Sequence, residues 1–114
     1  VLVVDDEPLF VEIARNWLEE DGYQTEGAEN GVEALELLST FKAALVLSGI
    51  VMPHMDGLTL LRRCQEDYPG LPVILTSGGR SLTEEELKKG GAAGFLSKPF
   101  SQGDLRKIIG TVMT

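Results

Sequence analysis

Residues 1–20 read VLVVDDEPLFVEIARNWLEE, and this stretch decides the fold. A continuous apolar run from Val1 to Val4 stops at Asp5-Asp6-Glu7, and from Pro8 onward the apolar period becomes helical. Phe10, Ile13, Ala14, Trp17 and Leu18 fall on one face of that helix, with Glu12, Arg15, Asn16, Glu19 and Glu20 on the other. Pro8 suits the first helical turn, where its missing N–H would have had no partner. The reading is a strand buried on both faces that passes through an acidic turn into an amphipathic helix.

The same alternation recurs along the chain. Short apolar runs at Ala44 to Leu47 and Val73 to Leu75 predict further buried strands, and Gly94 to Ser97 predicts another. Tyr23 to Ala28 is the weakest, because polar Gln24 and Glu26 alternate through it, and it is expected at a sheet edge. Asn30 with Glu33 starts a second helix, and Asp56-Gly57 leads into a third that turns Leu58, Leu61 and Cys64 inward and stops at Tyr68-Pro69-Gly70. Thr83 and Glu86 have capping-box spacing and Leu82 and Leu87 have staple spacing, which predicts a short fourth helix reaching Gly90-Gly91. Ser101 caps a fifth, with a Phe100 to Leu105 staple and an inner face of Leu105, Ile108, Ile109 and Val112. Strand then helix, five times, implies right-handed crossovers and an α/β fold with helices on both faces of a parallel sheet.

Composition narrows the function. With 114 residues the chain is expected to form a single domain spanning 1–114, and its abrupt ends suggest a piece of a longer protein. Ten Lys and Arg against eighteen acids, a net charge of -8, argue against nucleic-acid binding, which needs a cationic surface. The single Cys64 has no internal disulfide partner, and neither a signal peptide nor a membrane-length apolar run is present, so the expected setting is cytoplasmic, without membrane contact.

In sheets of this kind ligands sit beyond the carboxyl ends of the strands. Those ends carry Asp5-Asp6-Glu7, Ser48-Gly49, Thr76-Ser77-Gly78 and Ser97-Lys98-Pro99. Adjacent carboxylates offer hard oxygen ligands suited to Mg²⁺. Alone, Asp5-Asp6 would be a solvated acidic turn, Ser77 a turn residue and Lys98 a surface lysine. Together they supply a metal site, a hydrogen-bond donor and a compensating charge, as an anionic phosphoryl group requires. Lone His54 reads as a loop residue, Cys64 as a core residue and Asp56 as a helix cap, while residues 90–94 (GGAAG) lack the preceding strand of a dinucleotide fingerprint.

Val3-Val4-Asp5-Asp6-Glu7-Pro8, Met52-Pro53-His54-Met55-Asp56-Gly57, Pro72-Val73-Ile74, Ser77-Gly78 and Lys98-Pro99-Phe100, in this order, resemble the receiver domain of two-component response regulators over essentially the whole chain. The resemblance implies a three-layer, flavodoxin-like, doubly wound sheet of five parallel strands in the order 2-1-3-4-5. It also implies Asp5 and Asp6 as Mg²⁺ ligands with the Val51 backbone carbonyl, Ser77 as switch hydroxyl, Phe95 as switch aromatic and Lys98 as the phosphate-contacting lysine. The implied partners are a sensor histidine kinase or phosphotransfer protein and an output domain or partner protein. The fourth helix, fifth strand and fifth helix form the expected interaction surface, including for a homodimer.

Where that family carries its acceptor aspartate, this chain has Gly49. Glycine has no nucleophile, and Ser48 belongs to the opposite face of the strand by the two-residue period. Losing that carboxylate should also weaken Mg²⁺ binding. The expected function is therefore a signalling module, not an enzyme, that binds partners without being phosphorylated. Two alternatives remain at this point: an ordinary phosphoryl-accepting receiver in which Gly49 is a local substitution, and a flavin carrier or enzyme on the same scaffold, against which the acidic first loop argues.

Overall fold

The computed structural model describes residues 1–52, 54–78 and 84–113. Five strands and five helices alternate among them: β1 Leu2–Val4, α1 Pro8–Glu20, β2 Glu26–Ala28, α2 Gly31–Leu38, β3 Val46–Gly49, α3 Gly57–Asp67, β4 Val73–Ser77, α4 Glu84–Lys89, β5 Gly94–Ser97 and α5 Gln102–Val112. All neighbours pair in parallel, in the order β2-β1-β3-β4-β5, which is the doubly wound topology expected. β2 sits at the edge, as its polar alternation predicts, but is only Glu26–Ala28, shorter than the stretch from Tyr23. Tyr23 instead packs against the core from outside the strand.

Alternation along each strand divides the core in two. Leu2, Val4, Val46, Val73 and Leu75 face Ala34, Leu38, Leu60, Leu61 and Cys64 of α2 and α3. Val1, Val3, Leu47 and Ile74 face Ala14, Leu18, Leu105 and Ile109 of α1 and α5. One inner-face expectation needs correction and another is extended. Ile13 is 39% exposed, while Val11 packs inward against β2 in its place. On α3, Leu58, Leu61 and Cys64 pack inward as expected, and Leu60, fully buried, joins them.

Helix starts follow local chemistry. The Asn30 side chain accepts a hydrogen bond from the Glu33 amide at 2.9 Å, and the Asp56 side chain accepts one from the Thr59 amide at 2.8 Å. Ser101 and Asp104 form a reciprocal capping box, each side chain accepting from the other's amide at 3.0 Å. The box and staple expected at Leu82, Thr83, Glu86 and Leu87 involve positions outside the described residues. Gly91, just past α4, has φ +98°, a value that glycine adopts without strain.

One glycine decides the loop that leads out of β3. A methyl on Gly57 would lie 2.1 Å from the Gly49 carbonyl oxygen and 2.9 Å from the Ile50 Cα, so α3 can begin this close to the end of β3 only without a side chain. The Gly57 amide donates to the Ile50 carbonyl at 2.8 Å and closes the loop.

Candidate functional site

Backbone pairing continues one residue beyond several strands, and this places the site. The Asp5 amide donates to Ala28 at 3.0 Å, the Ile50 amide to Thr76 at 3.0 Å and the Lys98 amide to Ser77 at 2.8 Å. Residues leaving β1, β3, β4 and β5 are thereby held in register around one open cavity of about 300 Å³. Its walls are Asp5, Asp6, Glu7, Gly49, Ile50, Val51, Thr76, Ser77, Gly78 and Lys98. The expected site residues Asp5, Asp6, Val51, Ser77 and Lys98 therefore meet, with Gly49 among them.

Phe95 is not in this cavity. It lies on β5, half-buried against the α2–α3 side of the core, and lines a separate cleft with Ile108 and Val112 of α5. Asp56 also stays out, committed to capping α3. His54 is exposed in the loop with φ 68°. Cys64 is buried, and desolvation pushes its thiol up to about 11, so its thiolate is scarce near neutral pH.

Acidic and basic groups in the cavity are tightly engaged. The Lys98 ammonium donates to Asp5 Oδ2 at 2.7 Å and to Glu7 Oε1 at 3.2 Å. It also sits 4.1 Å from the centre of the Phe10 ring, a favourable cation–π position. Phe10 meets Phe100 edge to face at 5.6 Å, and Trp17 meets the same ring at 6.4 Å, so the aromatic platform under Lys98 is itself braced. Asp5 Oδ1 accepts from the Glu7 amide at 3.0 Å. The Asp5 side chain is only 2% exposed.

Burial pushes the Asp5 carboxyl above its ordinary range, against the opposing pull of the Lys98 hydrogen bond and the Glu7 amide. For Lys98 desolvation acts downward, but the hydrogen bonds and charges of Asp5 and Glu7 outweigh it and hold the ammonium above the usual lysine value.

Asp5, Asp6 and Glu7 each offer a carboxylate oxygen, all within 4.8 Å of one another, an arrangement able to hold a hard cation. Glu7 is thus a third acid where the sequence singled out two. Phe10 and Thr76 were also missed. Nothing in a helical apolar pattern separates a lysine platform from a core aromatic. Thr76 is 1% exposed and, among the described residues, its hydroxyl has no hydrogen-bond partner. It pairs with Gly49 across β3 and β4, so its side chain shares the face on which residue 49 would project.

Gly49 is the gap in this arrangement. A methyl built on it would stand 2.9 Å from Asp5 Oδ2, which points the missing side chain directly at the acidic cluster. Neighbouring Ser48 is fully buried and donates its hydroxyl to the Gly49 carbonyl at 2.9 Å.

Comparison with known proteins gives consistent matches. The family model described as the response regulator receiver domain matches residues 1–110. The chemotaxis protein CheY of Halobacterium salinarum is 36% identical over 115 residues, covering 100% of this chain and 96% of that protein. Response regulator Rre1 of Synechocystis is also 36% identical, over 96% of this chain but 49% of its own length, so the chain spans about half of that relative. The crystal structure of the receiver domain of NtrX from Brucella abortus superposes with a TM-score of 0.91 at 30% identity, covering 98% of this chain and 96% of that one.

Proposed function

The chain belongs to the response regulator receiver family, and from that premise we propose that it is a protein-interaction module of a two-component phosphorelay that takes no phosphoryl group in this form. One observation carries the reading: a side-chain carbon at the end of β3 would meet Asp5 Oδ2 at 2.9 Å in this cavity, and the residue there is Gly49, which has no side chain. Ser48 does not substitute for it, because its hydroxyl is buried and donated to the backbone. Asp56 does not either, because its carboxylate caps α3.

The rest of the cavity retains what phosphoryl chemistry uses. Asp5 and Asp6, with the Val51 carbonyl, are the residues that would hold Mg²⁺, and the clustering of Asp5, Asp6 and Glu7 oxygens fits a hard divalent ion. When bound, that ion supplies neutralising charge beside a phosphoryl oxygen. In this reading Ser77, which lines the cavity, would donate its hydroxyl to a phosphoryl oxygen, and Lys98 would supply the compensating ammonium. What the chain lacks is an in-line nucleophile.

Upstream, the partner class is a sensor histidine kinase or phosphotransfer protein; downstream, an output domain or partner protein, or a second copy. Docking is assigned to the α4, β5 and α5 face, where Phe95 stands beside α5, rather than to nucleic acid, for which a net charge of -8 is unsuited. Among the described residues no helix is long and apolar enough to cross a membrane. The cytoplasm is the proposed setting.

The test follows the domain's response to a phosphoryl donor by amide NMR. With Mg²⁺ present, adding acetyl phosphate should leave the spectrum of the Gly49 form unchanged, whereas Gly49→Asp should shift the amides around Ser77, Phe95 and Lys98. A donor-dependent change in the Gly49 form would refute the proposal.

A further inference from the structure

Asp5 has both carboxylate oxygens committed, Oδ1 to the Glu7 amide and Oδ2 to the Lys98 ammonium, and it stands within 2.9 Å of where a side-chain carbon on residue 49 would be. That separation is too short for a carbon and a carboxylate oxygen to share without one moving. The Asp5 carboxylate therefore occupies room that any residue other than glycine would claim. Lys98 holds it there, with Glu7 as a second anchor and the Phe10 ring beneath its ammonium.

We propose that Lys98 is the resident cation of this site: in the Gly49 form it draws the Asp5 carboxylate into the gap and competes directly with a divalent ion for that ligand. The argument is one of charge and space. An ammonium 2.7 Å from Asp5 Oδ2 takes up one of its lone pairs and sets a positive charge beside the oxygen that a small, geometrically strict cation would have to approach. The pair is screened weakly, because the Asp5 side chain is almost fully buried and that of Lys98 is only 19% exposed, so breaking it opposes metal entry more than a surface pair would. Glycine at 49 thus weakens the metal site in two ways: it removes a side chain, and it frees the space that lets Lys98 and Asp5 close on each other.

The inference rests on Asp5 and Asp6 being the metal ligands, so its test separates the two ideas. Mg²⁺ alone is titrated into the intact 114-residue chain by calorimetry, with amide NMR reporting that each variant is folded. Lys98→Met keeps an apolar stem over Phe10 but removes the competing charge, and should tighten Mg²⁺ binding by about tenfold. Gly49→Ala changes no charge, yet its methyl should push Asp5 off Lys98 and tighten binding by about threefold. Unchanged or weaker binding in Lys98→Met would overturn the proposal. Tighter binding in Lys98→Met with no effect of Gly49→Ala would also overturn it, because the gain would then be a general charge effect. If Gly49→Asp binds Mg²⁺ and neither other variant gains, the ligand assignment stands and the competition does not. If no form binds Mg²⁺, the ligand assignment itself fails, and the proposal with it.

Discussion

Thr76→Val should stabilise this protein, which is unusual for a substitution at a fully buried position. Thr76 lies in β4 with 1% exposure, and among the described residues its hydroxyl oxygen has no hydrogen-bond partner. An unsatisfied buried hydroxyl costs about 1–3 kcal/mol, while valine keeps the β-branched shape and places a methyl where the hydroxyl was. The expected gain is about 1–2 kcal/mol, a rise in Tm of roughly 4–8 °C for a domain of this length. Urea titration monitored by circular dichroism should show a higher midpoint with an unchanged slope. The companion experiment is the same change in the Gly49→Asp background. Residue 49 pairs with Thr76 across the sheet, so a carboxylate there would accept from the hydroxyl. Thr76→Val should then lose about 1 kcal/mol instead of gaining it. Destabilisation of the Gly49 form by Thr76→Val, or equal effects in both backgrounds, would refute the reasoning that the hydroxyl is stranded beside the gap.

Gly57→Ala would drive a methyl into the Gly49 carbonyl and the Ile50 Cα, backbone atoms that cannot rotate aside. A loss of about 3 kcal/mol is expected in urea titration, and a loss below about 1 kcal/mol would mean that the loop shifts easily. The Arg106 hydrogen bonds hold the exposed Asp21 carboxyl below its ordinary value, so the stability it contributes is present above the unfolded pKa of about 3.9 and disappears as pH falls through the lower folded value. Asp21→Asn should therefore lower Tm slightly at neutral pH, and the gap to the parent should close in strongly acidic buffer; a gap that persists there would assign the effect to packing. Phe95→Ala should weaken the affinity of an output partner measured by calorimetry, and equal affinities would remove Phe95 from the docking surface.

Element order and the polar strand ends were legible because they rest on two signals a sequence carries directly, whereas the strand order 2-1-3-4-5 came from the family resemblance. One signal is the change from a continuous apolar run to a 3.6-residue period, and the other is polar residues at the points where strands stop. Ile13 was placed inward and Val11 left unassigned because both are apolar and lie at opposite margins of the stripe, whose edges are ambiguous when it is wide. Tyr23 was taken into the strand because an aromatic beside an alternating run has the same pattern whether it pairs or merely packs. The site's composition could be read, but its state could not. That Lys98 closes on Asp5 depends on a distance across 93 residues of chain and on the room left by Gly49. Thr76 gave no signal at all, since an unsatisfied hydroxyl is a property of its neighbours.

Intact-protein mass spectrometry after incubation with acetyl phosphate and Mg²⁺ tests the central claim most directly. The Gly49 form should keep its unmodified mass, whereas Gly49→Asp should gain one phosphoryl group that survives acid and is lost in base, because on the proposed assignment Asp5, Asp6, Ser77 and Lys98 need only a nucleophile added. A stoichiometric adduct on the Gly49 form would show that another residue accepts the phosphoryl group and would contradict the account.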